Sequence, residues 1–176
     1  MTSFVLRVAA AGILALGAHG ALAQDDSSNR VNNITDWSVF EEENPKECWA
    51  VTTYKESVNT KEGRVVAVTR GDILLMVFYR PEAGVNGQLA FTGGYPFASG
   101  STVNVNVDGN EFELFTEGEW AWPATPQDDA KLIASMKRGR SAVVTALSSK
   151  GTATKDTFSL LGVTAAIDEA ESRCKK

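Results

Sequence analysis

The chain has 176 residues, 43% of them hydrophobic, and a formal net charge of −5 at pH 7. That length suits one domain with a core of its own. An acidic chain without a basic stripe is no nucleic-acid binder, because neutralising phosphates takes clustered Lys and Arg.

Residues 1–23 read as a secretory signal peptide. "MTSFVLR" carries the free amine and Arg7, "VAAAGILALGAHGA" is apolar but for His19, and Ala21 and Ala23 are the small residues a signal peptidase needs, so cleavage is expected after Ala23. The apolar run is shorter than the ~20 residues of a lasting membrane helix, and no stop-transfer segment follows, so no transmembrane segment is expected in the mature chain. His19 is the only histidine. Its removal excludes Ser-His-Asp and Cys-His catalysis and any His-ligated zinc, and makes the net charge more negative by the loss of Arg7. No motif calls for a cofactor or metal, and none is expected. The destination is the periplasm, with outer-membrane association or secretion beyond it open.

Residues 24–35 are polar and aperiodic and read as a flexible leader; residues 36–176 read as one β-rich domain. "DWSVF" and "CWAVTTY" are aromatic and β-branched strands parted by a turn at Asn44-Pro45. "RVVAVTR" and the wholly apolar "ILLMVFY" follow as strands separated by Gly71-Asp72, then "QLAFTGG". In "STVNVNVDGNEFELF" valines alternate with asparagines, and Phe112 and Leu114 with glutamates. A turn at Asp108-Gly109 sets Val105 opposite Phe112 and Val103 opposite Leu114; a turn one residue later would keep the same faces.

A helix is expected over about 126–138, with Thr125 as N-cap, Pro126 at its first position, Asp128 and Asp129 in the first turn, and Gly139 as its stop. "SAVVTAL" and "TATKDTFSLL" read as two more strands. A second helix, about 162–175, aligns Val163, Ala166, Ile167, Ala170 and Cys174 on one face, aiming Cys174 at the body. The fold class is therefore mainly β with two helices, a single-domain sandwich or partly closed barrel. Two cysteines in an exported chain favour a Cys48–Cys174 disulfide, the alternative being two buried free thiols.

Taken together, "DWSVF", "CWAV", "GDILLMVFYRP", "FTGGYPF", "GEWAWPATPQDDAKLIASMKRG" and "TKDTFSLLGVTAAIDEA" with the closing Cys174 resemble the invasion-associated locus B family. The resemblance runs from Asp36 to Cys174. It implies a small, exported, β-rich accessory protein of the Gram-negative envelope, and it brings no catalytic residues with it.

Four aromatic residues are the binding candidates. Trp120 and Trp122, two apart, share one face if extended: either a platform for a partner or a plug at the edge of the core. The plug is favoured, with Trp122 buried at the strand-to-helix corner and Trp120 showing an edge. Tyr95 and Phe97, after Gly93-Gly94, pose the same choice. "RGD" at Arg70–Asp72 is either an adhesion motif or an ordinary turn, and the turn is favoured. "DGNE" lacks the alternating oxygen ligands of a calcium loop, and "KRGR" at 137–140 reads as a solvated helix end. The sequence supports a non-enzymatic envelope protein that binds a protein or envelope component. The competing reading is a glycan hydrolase working with carboxylates alone, drawn from Glu117, Glu119, Asp128 and Asp129.

Overall fold

The computed structural model describes residues 29–175. The expected signal peptide and cleavage point, His19 and residues 24–28 lie outside them. The strands are β1 (Arg30–Ile34), β2 (Trp37–Glu43), β3 (Lys46–Thr53), β4 (Glu56–Lys61), β5 (Arg64–Val65), β6 (Leu74–Arg80), β7 (Val85–Thr92), β8 (Thr102–Val107), β9 (Asn110–Glu117), β10 (Trp120–Trp122), β11 (Ser141–Leu147) and β12 (Ala153–Ser159). They form one antiparallel sheet ordered β1-β2-β3-β6-β7-β10-β9-β8-β11-β12-β4-β5. β3 runs into β4 through Tyr54 and Lys55, yet β4 pairs with β12 at the far end of the order. The chain thus turns a corner, and the sheet bends back so that its halves face each other like a sandwich, without closing.

Alternation drives this. Val103, Val105 and Val107 of β8, Leu75 and Val77 of β6, and Ala142 and Val144 of β11 point inward and are buried, with Phe91 and Phe158 among the largest core side chains. Burying each of the valine, leucine and phenylalanine side chains stabilises by about 1.5–3 kcal/mol. The β8–β9 hairpin has the expected register, Val105 opposite Phe112 and Val103 opposite Leu114. Its turn places Asp108 (φ 46°) and Gly109 (φ 96°) in the left-handed region, which an Asp-Gly pair tolerates best.

Helix α1 (Pro126–Met136) starts where expected, with Thr125 Oγ1 accepting from the Asp128 N–H. It fills the gap beside β7 that opens where the short β10 ends. There the Leu89 N–H has no strand partner and donates to Asp129 Oδ1 at 2.8 Å. Gly139 follows the helix for a steric reason: a Cβ there would lie 2.6 Å from Val107 Cγ1 and 3.0 Å from Leu160 Cδ1. Helix α2 (Val163–Cys174) buries the five residues of its apolar stripe against β2, β3 and β6. Cys174 is bonded to Cys48, the Cα atoms 5.8 Å apart. Arg173 reinforces the seam by donating to Glu41 of β2 and Glu169 of its own helix.

Three segments depart from the sequence reading. Residues 30–34 of the stretch read as leader form β1, paired with β2. "RVVAVTR" supplies only the two residues of β5, and Val65 and Val68 are exposed. The chain leaves the sheet there because Arg70 is drawn inward, as shown below. Conversely "ESVNTK" is a strand, β4, without apolar alternation; its inward positions Ser57 and Asn59 serve the Arg70 guanidinium.

Candidate functional site

The outer face of the sheet carries a band of aromatic side chains. By register Phe40 of β2, Trp49 of β3 and Phe78 of β6 stand side by side. The Phe40 and Trp49 rings stack at 5.3 Å and 3°, and Trp49 meets Phe78 at 6.2 Å. Across β7, the outward residues of β10 are Trp120 and Trp122, and Trp122 pairs with Phe115 of β9. Ala121 between the two tryptophans points inward and is fully buried. Trp120 is 40% exposed and Phe115 51%, while Trp122 is partly buried. Both tryptophans, with Phe78, Arg80, Gln88 and Ala90, line a depression of ≈ 310 Å³. Met76, Ala90 and Thr92 point the same way yet are buried, shielded by these larger neighbours.

The two-residue spacing of the tryptophans therefore does place them on one face, but it is the solvent face. Trp122 is not the buried corner residue expected, because the inward position of β10 belongs to Ala121, and the strand-to-helix corner is filled by the buried Pro123. Sequence reasoning missed Phe40, Trp49, Phe78 and Phe115. Their membership depends on which strands become neighbours.

Tyr95 and Phe97 sit elsewhere, at the end of the sheet. Phe97 is buried, packed edge-on to Tyr95 at 5.3 Å and 6.1 Å from Phe91. Tyr95 shares a 2.5 Å hydrogen bond with Thr154 Oγ1 and carries the Arg70 guanidinium over its ring at 4.9 Å. Burial pushes its phenol above the usual value, opposed by the Thr154 hydrogen bond. Arg70, Tyr95, Pro96, Glu119, Ser148 and Lys150 are among the residues lining a cavity of ≈ 470 Å³.

The Arg70 side chain is only 6% exposed. It donates to both oxygens of Asp156, at 2.8 and 2.6 Å, to the Gly93 carbonyl at 2.8 Å, and to Ser57 and Asn59. An adhesion motif must present its guanidinium to a receptor; this one is committed to the interior. Beside it Gly71 and Gly94 cross so closely that a Cβ on Gly94 would lie 2.5 Å from the Gly71 carbonyl carbon. That close approach is what the Gly93-Gly94 pair provides.

The four carboxylates considered for hydrolysis do not line a single depression. Asp129 is buried against the Leu89 N–H, and that burial raises its pKa. Asp128 is bound to Thr125 and Lys131 at the helix start. Glu119 lines the Tyr95 cavity, whereas Asp128 lines a different depression with Glu111 and Glu113. Among the described residues no cluster of His, Cys, Asp and Glu is arranged to hold a metal ion. No helix among them is long and apolar enough to cross a membrane.

The family model described as invasion associated locus B (IalB) protein matches residues 37–171. Among solved structures, that of invasion associated protein B from Bartonella henselae is similar in fold: TM-score 0.56, 14% identity, with 82% of this chain and 98% of that one covered. Among curated proteins no sequence matches.

Proposed function

Because the chain belongs to the invasion associated locus B family, we propose that it is an exported, non-enzymatic protein of the bacterial envelope that works by binding a protein or envelope component through its outer aromatic face. The observation that carries this reading is the display of Phe115 and Trp120 to solvent, continuous with Trp122 and the Phe40–Trp49–Phe78 stack. Exposed apolar patches of this kind mark interaction sites more often than they serve folding, and aromatic residues dominate binding energy at interfaces. The signal-like N-terminus and the Cys48–Cys174 bond support export to an oxidising compartment.

The test is site-specific photo-crosslinking in intact cells. A photoreactive residue at position 115 should capture a discrete adduct. One at Thr145, outward on β11, should not, and Trp120→Asp should remove the adduct formed at 115. Equal capture from both positions, or from neither, would end this reading. The exported form should have the mass of a chain starting at Gln24.

A further inference from the structure

We infer that the partner of the aromatic face is a protein segment presenting apolar side chains edged by lysine or arginine. This rests on the docking reading above and adds the partner's chemistry, which follows from the charges bordering the band.

Strand alternation fixes those charges. Phe115 is flanked on the same outward face by Glu113 and Glu117, and Glu119 stands in the turn that leads to Trp120. At the opposite end Glu42 is two residues from Phe40, and Glu47 two from Trp49. Both ends of an apolar strip are therefore lined with carboxylates.

Three of the nearby cations are already committed, while Lys150 shares the Tyr95 cavity with Glu119 without an ion pair to it. Arg80 lies on the Phe78 ring at 4.5 Å, with Nε 3.1 Å from Glu47, a charge contact without hydrogen-bond geometry. Lys46 is held by Glu41 and Glu43, and Lys131 by Asp128. Among the described residues Glu42 and Glu113 receive only neutral donors, from Asn29 and Thr102, as Glu111 does from Asn106. Glu117 and Glu119 have no ion pair among the described residues. The net charge of the whole chain, −5, has the same sign.

A partner that covers the tryptophans must strip water from some of these carboxylates, which is unfavourable unless it supplies cations in exchange. A basic rim on the partner does so and also speeds encounter. An anionic lipid surface would meet repulsion, and a neutral glycan would leave the carboxylates uncompensated.

The probes are a synthetic peptide alternating leucine with lysine, its counterpart alternating leucine with glutamate, and vesicles containing phosphatidylglycerol. Binding is read by tryptophan fluorescence of the exported chain, and melting confirms that each variant is folded. The lysine peptide should bind at least about tenfold more tightly than the glutamate peptide, a gap that shrinks with salt. The variant Phe115→Asp/Trp120→Asp should lose the lysine peptide although it gains negative charge. The variant Glu113→Lys/Glu117→Lys/Glu119→Lys should reverse the preference.

Equal binding of the two peptides, binding to the anionic vesicles, or lysine-peptide binding that survives Phe115→Asp/Trp120→Asp would each overturn the inference. Cross-linking at position 115 that persists through the triple charge reversal would overturn it too, while leaving the docking reading standing. Absence of any specific adduct at 115 would remove both.

Discussion

Asp156 is fully buried, and both of its carboxylate oxygens accept hydrogen bonds from Arg70, a residue 86 positions earlier in the chain. The pair ties the segment after β5 to the inner face of β12. It also explains why a stretch rich in β-branched residues leaves the sheet. Removing one partner of such a pair leaves an uncompensated buried charge, typically at a cost of about 3–5 kcal/mol. Asp156→Ala and Arg70→Ala should each lower the melting temperature sharply, and Arg70→Lys should restore little, since an ammonium lacks the bidentate fork. The double change Arg70→Met/Asp156→Leu should cost less than the two single changes added together. Thermal melts of the four proteins check this; additive losses would contradict it.

The Cys48–Cys174 bond spans 126 residues of sequence. In the chain-entropy account a loop of that size contributes about 4–5 kcal/mol by restricting the unfolded chain. Cys48→Ser/Cys174→Ser should therefore melt well below the parent, and the parent treated with reductant should approach it. Peptide mapping without reduction should recover the linked pair. Two alkylatable thiols in the oxidised protein would refute the pairing.

Position on the sheet sets the cost of losing an aromatic ring. Trp120→Ala should be nearly neutral for stability, and Trp122→Ala should cost more because that ring is partly buried. Both should fall short of Leu114→Ala, which removes a fully buried side chain at a typical cost of about 2–5 kcal/mol. Urea titrations of the three variants give the order directly. A Trp120→Ala loss as large as that of Leu114→Ala would mean the ring is structural.

Asp129 and Glu41 should respond to pH with opposite signs. Burial raises the Asp129 pKa, with the Leu89 N–H opposing and the neighbouring Asp128 adding to the rise. Its contribution to stability is present below the unfolded value of 3.8 and is lost as pH rises through the folded value. Asp129→Asn keeps an oxygen for the Leu89 N–H without the charge, so its melting temperature should exceed the parent's by more at pH 7 than at pH 3. A difference independent of pH would contradict the assignment.

For Glu41 the Lys46 hydrogen bond, then that of Arg173, holds the carboxyl below its ordinary value. At Glu169 burial pushes upward, but the bonds from Asn32 and Arg173 outweigh it, and its pKa is also lowered. Stability from both is present above the unfolded carboxylate value and is lost as pH falls through the folded one. Glu41→Gln should thus narrow its deficit against the parent as pH falls below about 4, the range in which a glutamate titrates. Parallel acid titrations followed by circular dichroism measure this.

Local chemistry determined much of this protein from sequence alone. The β8–β9 hairpin, the capped start of α1 at Thr125 and the apolar stripe of α2 all follow from period, turn residues and caps acting within a few positions. The inward aim of Cys174 belongs with them, and its pairing with Cys48 was legible because the chain has only two cysteines. Only the tertiary structure decided which face of β10 meets solvent, because a two-residue alternation fixes that Trp120 and Trp122 agree but not which way they point. It alone brought Phe40, Trp49 and Phe78 into one band with them, by setting β2, β3, β6, β7 and β10 side by side. It alone recruited the polar Ser57, Asn59 and Asp156 inward around Arg70, since the partners of a buried charge are chosen by spatial neighbours that lie far apart along the chain.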